Sequence, residues 1–144
     1  MDVQEFIKGL NLVSIQDKML EQEGQFEPEV EHIFSGGVYL RQMFIPAGTL
    51  IMGKRHRHET CNVMLKGKLT VYTEEGGEQE IEGPLVFTSP PNTKKLAYCH
   101  EDTVFINIHP TEETDLDLIE KHFIITEEEY QAQIEGGNIC LGAQ

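Results

Sequence analysis

The chain has 144 residues, 39% of them hydrophobic, a size that fits one compact domain with a core of its own. Its 11 Lys and Arg residues against 25 Asp and Glu residues give a formal net charge of −14, which argues against binding to a nucleic-acid backbone. No apolar run approaches the ~20 residues of a membrane-spanning helix, so we expect no membrane association.

Cysteine usage and the N-terminal sequence predict the cellular compartment of the protein. Its three cysteines (Cys61, Cys99 and Cys140) are too few and too scattered for a disulfide framework. The first ten residues lack the basic region and the apolar run of a secretory signal. Both features predict a cytoplasmic protein, in a bacterium or in a phage-infected host cell.

Residues 1–34 predict an N-terminal helical arm. Val3, Phe6 and Leu10 recur at spacings of three and four, which is typical of a short amphipathic helix. Ser14 predicts the N-cap of a second helix. The arm is interpreted as part of a single domain that spans the whole chain.

Residues 35–110 predict a β region. Glycine, proline and asparagine separate short runs rich in β-branched and aromatic residues, which we predict to be strands: Val38–Ile45, Thr49–Met52, Thr60–Leu65, Leu69–Thr73, Gln79–Glu82, Leu85–Thr88, Lys95–Cys99 and Thr103–Ile108. The turns leave no room for crossover helices, which disfavours a parallel sheet. The pattern predicts an antiparallel sandwich or jelly-roll barrel.

Residues 111–144 predict an acidic helical segment followed by a tail. Thr111 or Thr114 is the expected N-cap of a first short helix. Thr126, with Glu129 three residues later, matches a capping box and predicts the start of a second helix.

The segment His56-Arg57-His58 is the strongest candidate for site chemistry. On a strand, residues two apart point to the same face, so His56 and His58 would present neighbouring imidazoles. Asn62 keeps the same parity if no bulge intervenes. Imidazole suits transition metals, but two ligands make a weak site that another strand must complete. The competing interpretation is an exposed polar strip.

The stretch from Gly48 to Gly67 resembles the first motif of the cupin superfamily (RmlC-like jelly roll), G-x5-H-x-H-x3/4-E-x6-G. The stretch from Gly83 to Cys99 resembles the second motif, G-x5-P-x-G-x2-H-x3-N. Residues 37–109 also resemble small uncharacterised cupin-like proteins of bacteriophage genomes. The resemblance implies a mainly β fold, an antiparallel double-stranded β-helix (cupin-like jelly-roll barrel) with short N- and C-terminal helices, and a homodimer.

The resemblance also implies a metal site, from which this chain departs at two positions. Asn62 stands where the family has a metal-binding glutamate, and Lys95 stands where it has a third histidine. A lysine facing two imidazoles opposes a divalent cation. His100 would reach inward only past a bulge, and His109 is interpreted as structural. The expected residues are therefore, for the metal, His56, His58, Asn62 and His100, and, for a ligand, Lys95 and Glu59.

Three functions follow from these expectations. The first is a cupin-like barrel with a degenerate metal site that binds a small anion or, loosely, a divalent metal ion (Fe, Mn, Ni or Zn). The second is a metal-dependent enzyme of isomerase, lyase or dioxygenase type, which needs at least three good ligands. The third is a non-catalytic, phage-related structural or interaction protein.

Overall fold

The computed structural model of the protein describes residues 27–74 and 77–136. In chain order the described elements are β1 (Glu29–Ser35), β2 (Val38–Ile45), β3 (Leu50–Met52), β4 (Thr60–Lys66), β5 (Lys68–Thr73), β6 (Glu78–Glu82), β7 (Leu85–Ser89), β8 (Lys95–Cys99), β9 (Thr103–Pro110), α1 (Leu116–Phe123) and α2 (Glu127–Glu135). Each of the eight predicted runs forms a strand, with ends that shift by at most two residues. The mainly β, antiparallel prediction is confirmed.

The predicted N-terminal helices fall on residues 1–26, outside the described residues. The structure does describe the end of the predicted arm, and there the prediction was wrong. Residues 29–35 form β1, which pairs with β2 along its whole length from Glu29↔Phe44 to Ser35↔Val38. The pair Gly36-Gly37 provides the turn, and Gly37 has a φ of +80° that favours glycine. Residues 29–35 are therefore a strand of a β-hairpin and not part of a helical arm.

The strands form two antiparallel sheets, with the orders β1-β2-β9-β4-β7 and β3-β8-β5-β6. Their inner faces share one apolar core, to which the five-stranded sheet contributes Ile45 and Met64 and the four-stranded sheet contributes Leu69, Val71 and Cys99. The sheets therefore pack face to face as a jelly-roll sandwich. Within residues 27–74 and 77–136 the two ladders stay separate, so the barrel is not closed by hydrogen bonds.

Strand register divides the inner face of the five-stranded sheet into two halves. One row of paired residues is apolar: Met43, Phe105, Met64 and Leu85. The next row along the strands contains Arg41, Asn107, Asn62 and Phe87. Beyond it, Tyr39 pairs with His109, and Thr60 pairs with Ser89. One end of the interior is therefore apolar and the other is polar.

The two C-terminal helices cover the polar end. Ile119 and Phe123 of α1 pack on Tyr39 in a second buried cluster. Asp115, rather than Thr111 or Thr114, is the N-cap of α1 and accepts from the amides of Asp117 and Leu118. Its carboxylate reaches two backbone amides, whereas the Thr111 hydroxyl accepts from the amide of Glu113 two residues later.

Thr126 is the N-cap of α2, as predicted, and its hydroxyl oxygen accepts from the Glu129 amide at 3.1 Å. No helix within residues 27–74 and 77–136 is long and apolar enough to cross a membrane.

Candidate functional site

The loop between β3 and β4 carries the histidine motif across the polar end of the sandwich. It pairs with the end of α1 in a short antiparallel ladder. The Arg57 amide donates to the Phe123 carbonyl at 2.7 Å, and the Ile125 amide donates to the Arg55 carbonyl at 3.0 Å. His56 lies between these bonds, so its position is fixed by backbone contacts on both sides.

His56 has a defined tautomer. Its Nδ1 lies 2.7 Å from the Thr60 hydroxyl oxygen, and that hydroxyl donates to the His58 carbonyl at 3.2 Å. Because the hydroxyl proton is used, Nδ1 carries the proton of the imidazole and donates it to Thr60. Nε2 therefore keeps its lone pair, and no described residue hydrogen-bonds to it.

His109 joins His56 at this end of the interior. The two ring centroids are 5.5 Å apart, and His109 also packs on Phe123 at 4.5 Å and on Tyr39 at 5.9 Å. His109 is only 5% exposed, yet no described residue hydrogen-bonds to either of its ring nitrogens. A largely buried imidazole whose nitrogens are not hydrogen-bonded within the described residues is a candidate for ligand contact.

Both imidazoles are neutral at pH 7. Burial, followed by the charges of Arg41 and Lys95, lowers the pKa of His56 from 6.5 to about 4. Burial, followed by the His56 and Arg41 charges, lowers the pKa of His109 to about 4. The sequence interpretation treated His109 as structural. The signal that it missed was parity, because His109 shares the inner face with Asn107 two residues earlier.

Two asparagines form the floor of the site between β4 and β9. Asn62 Oδ1 accepts from Asn107 Nδ2 at 2.8 Å, while Asn62 Nδ2 donates to the Ser89 hydroxyl at 2.8 Å and to the Thr60 carbonyl at 3.3 Å. Both ends of the Asn62 amide are therefore engaged within the protein. Asn62 lies on the inner face of the sheet, where its hydrogen bonds connect β4 to β7 and β9.

Two cations approach the same cluster. Lys95 Nζ donates to the Ser89 hydroxyl at 3.1 Å, and burial lowers the pKa of Lys95. Arg41 lies on the inner face of β2, where its Nη1 donates to Met43 Sδ at 2.8 Å. Neither Arg41 nor Lys95 forms an ion pair within the described part of the chain. In a protein with a net charge of −14, these two positive groups are available for an anion.

The structure does not bring the other predicted site residues to this cluster. His58 is exposed, and its ring lies 5.5 Å from that of His122 on α1. The expectation that His56 and His58 share an inward face was wrong, because the loop bends at residues 57–58 and strand alternation does not apply. Glu59 follows the bend and is also exposed.

His100 lies on the other side of the four-stranded sheet. Its Nε2 is 2.6 Å from the hydroxyl of Thr70, which alternates with the core residues Leu69 and Val71. No bulge turns His100 inward.

The residues present do not fit the four-ligand metal site that the resemblance implied. Within residues 27–74 and 77–136, no three or more His, Cys, Asp or Glu side chains are grouped to hold a metal ion. The polar end offers His56 and His109, an asparagine oxygen that is already hydrogen-bonded, and two cations that oppose a divalent ion.

Arg55 anchors α2 beside the site, a role that the sequence did not reveal. Its side chain is 1% exposed, and it contacts Glu74 through both terminal nitrogens, at 2.6 and 3.0 Å. It also pairs with Glu127 at 3.3 Å and lies 3.8 Å from the centre of the Tyr130 ring. Burial alone would raise the pKa of Glu127, but Lys94 at 2.8 Å and Arg55 outweigh it and lower that pKa.

Arg57 holds the end of α1 in a similar way. Its guanidinium donates to the carbonyls of His122 at 3.2 Å and Ile124 at 3.1 Å, which the helix leaves without partners. It also pairs with Glu129 at 3.0 Å, at the start of α2. Arg55 and Arg57 therefore hold the helices in place on either side of His56.

A surface cavity of about 170 Å³ lies away from this cluster. It is lined by the β1–β2 turn and by the segment before α1, including Phe34, Val38 and Glu112. Its walls contain none of the predicted site residues, so it does not belong to the candidate site.

Comparisons with known proteins support the fold. No protein-family model matches the chain, and no curated protein matches it. An uncharacterized conserved protein with a double-stranded β-helix domain from Klebsiella pneumoniae is similar at a TM-score of 0.52 and 13% identity, over 65% of this chain and 85% of that chain. A protein from Neisseria meningitidis is similar at a TM-score of 0.50 and 12% identity, over 71% of this chain and 97% of that one.

An RmlC-like cupin family protein with a double-stranded β-helix fold from Methanocaldococcus jannaschii is also similar, at a TM-score of 0.47 and 16% identity, over 62% of this chain and 85% of that chain. At such identities a structural likeness shows the fold alone. With the strand order of the two sheets, the similarity to the Klebsiella protein shows that this chain has the double-stranded β-helix fold that its two motifs predicted.

Proposed function

We propose that the protein binds a small carboxylate at the polar end of the sandwich interior. The observation that carries the proposal is the pair of cations, Arg41 and Lys95, beside two neutral histidines and without a carboxylate partner in the described residues. Buried or half-buried positive groups are normally paired, so an external anion is the missing partner.

The hydrogen-bonding groups of the cluster suit a carboxylate. An arginine can donate to both carboxylate oxygens, and a lysine can add a charge-assisted bond. The Ser89 oxygen already accepts from Asn62 and Lys95, so its own proton remains for a ligand. His109 has an unused N–H, since a neutral imidazole always carries one. These donors come from both sheets, and in the proposed complex they converge on one small acceptor.

The test is calorimetric titration of the protein at pH 7.5 with acetate, malonate, inorganic phosphate and sulfate. We expect acetate or malonate to bind more tightly than the two inorganic anions. Replacing Lys95 with Met should weaken binding by about tenfold or more, because a hydrogen bond to a charged group contributes roughly 1.5–3 kcal/mol.

The matched control is Lys66→Met, since Lys66 is exposed on β4 and touches none of the cluster. Equal loss in both variants would indicate a general charge effect and contradict the proposal. The absence of binding to any of the four anions would contradict it as well.

A divalent metal is the second candidate, favoured by the two neutral imidazoles 5.5 Å apart. Metal analysis of the purified protein tests it. Stoichiometric Fe, Mn, Ni or Zn that disappears in the double variant His56→Ala/His109→Ala would favour the metal over the anion. Protein that gains no metal during dialysis against these ions would favour the anion.

A further inference from the structure

We infer that Phe123 is the specificity-determining residue of this site and limits its ligands to short carboxylates. The inference rests on the proposed function, because it specifies which carboxylates the polar end admits.

Phe123 packs directly on His109, one of the two histidines of the site. Its side chain is 5% exposed, and its ring centroid lies 4.5 Å from that of His109. It also packs with Tyr39 and Ile119. A ligand that contacts His109 therefore meets the Phe123 ring on the side of the helices.

The Phe123 ring also contacts a second pair of histidines, which is exposed. Its centroid lies 4.6 Å from His122 and 6.2 Å from His58, both exposed. The ring therefore contacts the buried His109 as well as the exposed pair, and we place it as the wall between them. A ligand tail that extends from the site toward the exposed pair must pass through the space that Phe123 fills.

The main chain that carries the Phe123 ring is held by several hydrogen bonds. The Phe123 carbonyl accepts from the Arg57 amide at 2.7 Å, and the next residue, Ile124, pairs with His56. The Arg57 side chain also donates to the carbonyls of His122 and Ile124 on either side of Phe123. These bonds fix the main chain at residues 122–124, and the packing of the ring on Tyr39, Ile119 and His109 limits its rotation, so the ring sets a limit on ligand length.

The experiment compares acetate with phenylacetate, which carries the same carboxylate and an aromatic tail. Titration of the native protein should show acetate binding at least about tenfold more tightly, a discrimination within reach of a fixed pocket wall. Phe123→Ala should bind phenylacetate about tenfold more tightly than the native protein does, while its acetate affinity stays within about threefold. Phe123→Leu, which keeps most of the apolar volume, should lie between the two.

Ile119→Ala is the matched control, because Ile119 is equally buried in the same cluster and makes no ring contact with a histidine. It should lower thermal stability and leave the preference for acetate unchanged. An unchanged preference in Phe123→Leu, or in a folded Phe123→Ala, would overturn the inference and leave the carboxylate site standing. Failure of the native protein to bind either acid would overturn both proposals.

Discussion

The inner face of the five-stranded sheet has two halves, whose residues lie only two positions apart along each strand. In the apolar half, Met43, Phe105 and Met64 lie side by side on β2, β9 and β4. In the polar half, the next inner positions of the same strands are Arg41, Asn107 and Asn62. Both rows lie on paired positions of the same three strands, so side-chain chemistry is the main difference between them.

The two halves satisfy their side chains differently. Close packing is sufficient for the apolar half, where Met64 is fully buried. In the polar half, Asn107 donates to Asn62, which in turn donates to Ser89, whereas His109, Arg41 and Lys95 keep unused bonding capacity. Natural proteins retain such groups chiefly where function requires them. The comparison therefore associates stability with the apolar half and is consistent with the ligand contact proposed for the polar half.

The largest expected effect tests the apolar half. Met64→Ala removes a fully buried side chain from the core shared by both sheets. We expect the free energy of unfolding to fall by about 2–5 kcal/mol, from lost burial and the remaining cavity. Urea denaturation measures this loss. Because Met64 lies in the apolar row, the acetate affinity of the folded variant should stay unchanged, and a tenfold loss would contradict the division into halves.

The next effect tests how the helices are held over the polar half. Arg55→Met leaves the Glu74 and Glu127 carboxylates without their shared partner, which should cost about 3 kcal/mol of unfolding free energy. Lys54→Met removes the Lys54–Glu120 pair, whose side chains are 63% and 51% exposed, and should cost less than about 1 kcal/mol. Similar losses in the two variants would show that burial of Arg55 adds nothing.

The pH dependence of stability tests the histidine pair. His56 and His109 have a pKa of about 4 when folded, against the usual 6.5, so the unfolded chain binds more protons between these values. Stability should therefore fall as the pH decreases from 6.5 to 4, by up to about 2 kcal/mol for each histidine at pH 5. Because the pKa of Glu127 is lowered as well, that carboxylate adds a loss only at pH values below 4.5.

Urea denaturation at pH 7 and pH 5 measures this difference. His109→Gln should reduce it. A pH response that is equal in the native protein and His109→Gln would contradict a buried, neutral His109.

The strands were predictable because their signals are local. Alternation and the turn residues around Gly67 and Pro90 define the runs of the β region without reference to the rest of the chain. Gly67 shows the strength of such a signal, since its φ is +119° and a Cβ there would lie 2.8 Å from Thr103 Cα. Any other residue would be strained at this turn.

The site was only partly predictable because its contacts are distant in sequence. Arg55 pairs with Glu127, which is 72 residues later in the chain. Phe123 contacts His109 because α1 packs on the sheet, and no local sequence pattern predicts where a helix packs. His58 was misplaced by an irregular bend, which alternation cannot foresee. The homodimer, the cytoplasmic location and the phage relationship remain predictions from the sequence.

The smallest expected effect concerns the asparagine floor. Asn62→Ala leaves the Asn107 amide without its acceptor and Ser89 with Lys95 as its remaining donor, so the free energy of unfolding should fall by about 1–3 kcal/mol. A double-mutant cycle with Asn107→Ala isolates the pair. If the two amides act mainly on each other, the double variant should lose less than the sum of the single losses. Additive losses would show that the hydrogen bond between the two asparagines adds no stability of its own. The Asn62–Asn107 pair would then not be what fixes the polar half beneath the proposed carboxylate site.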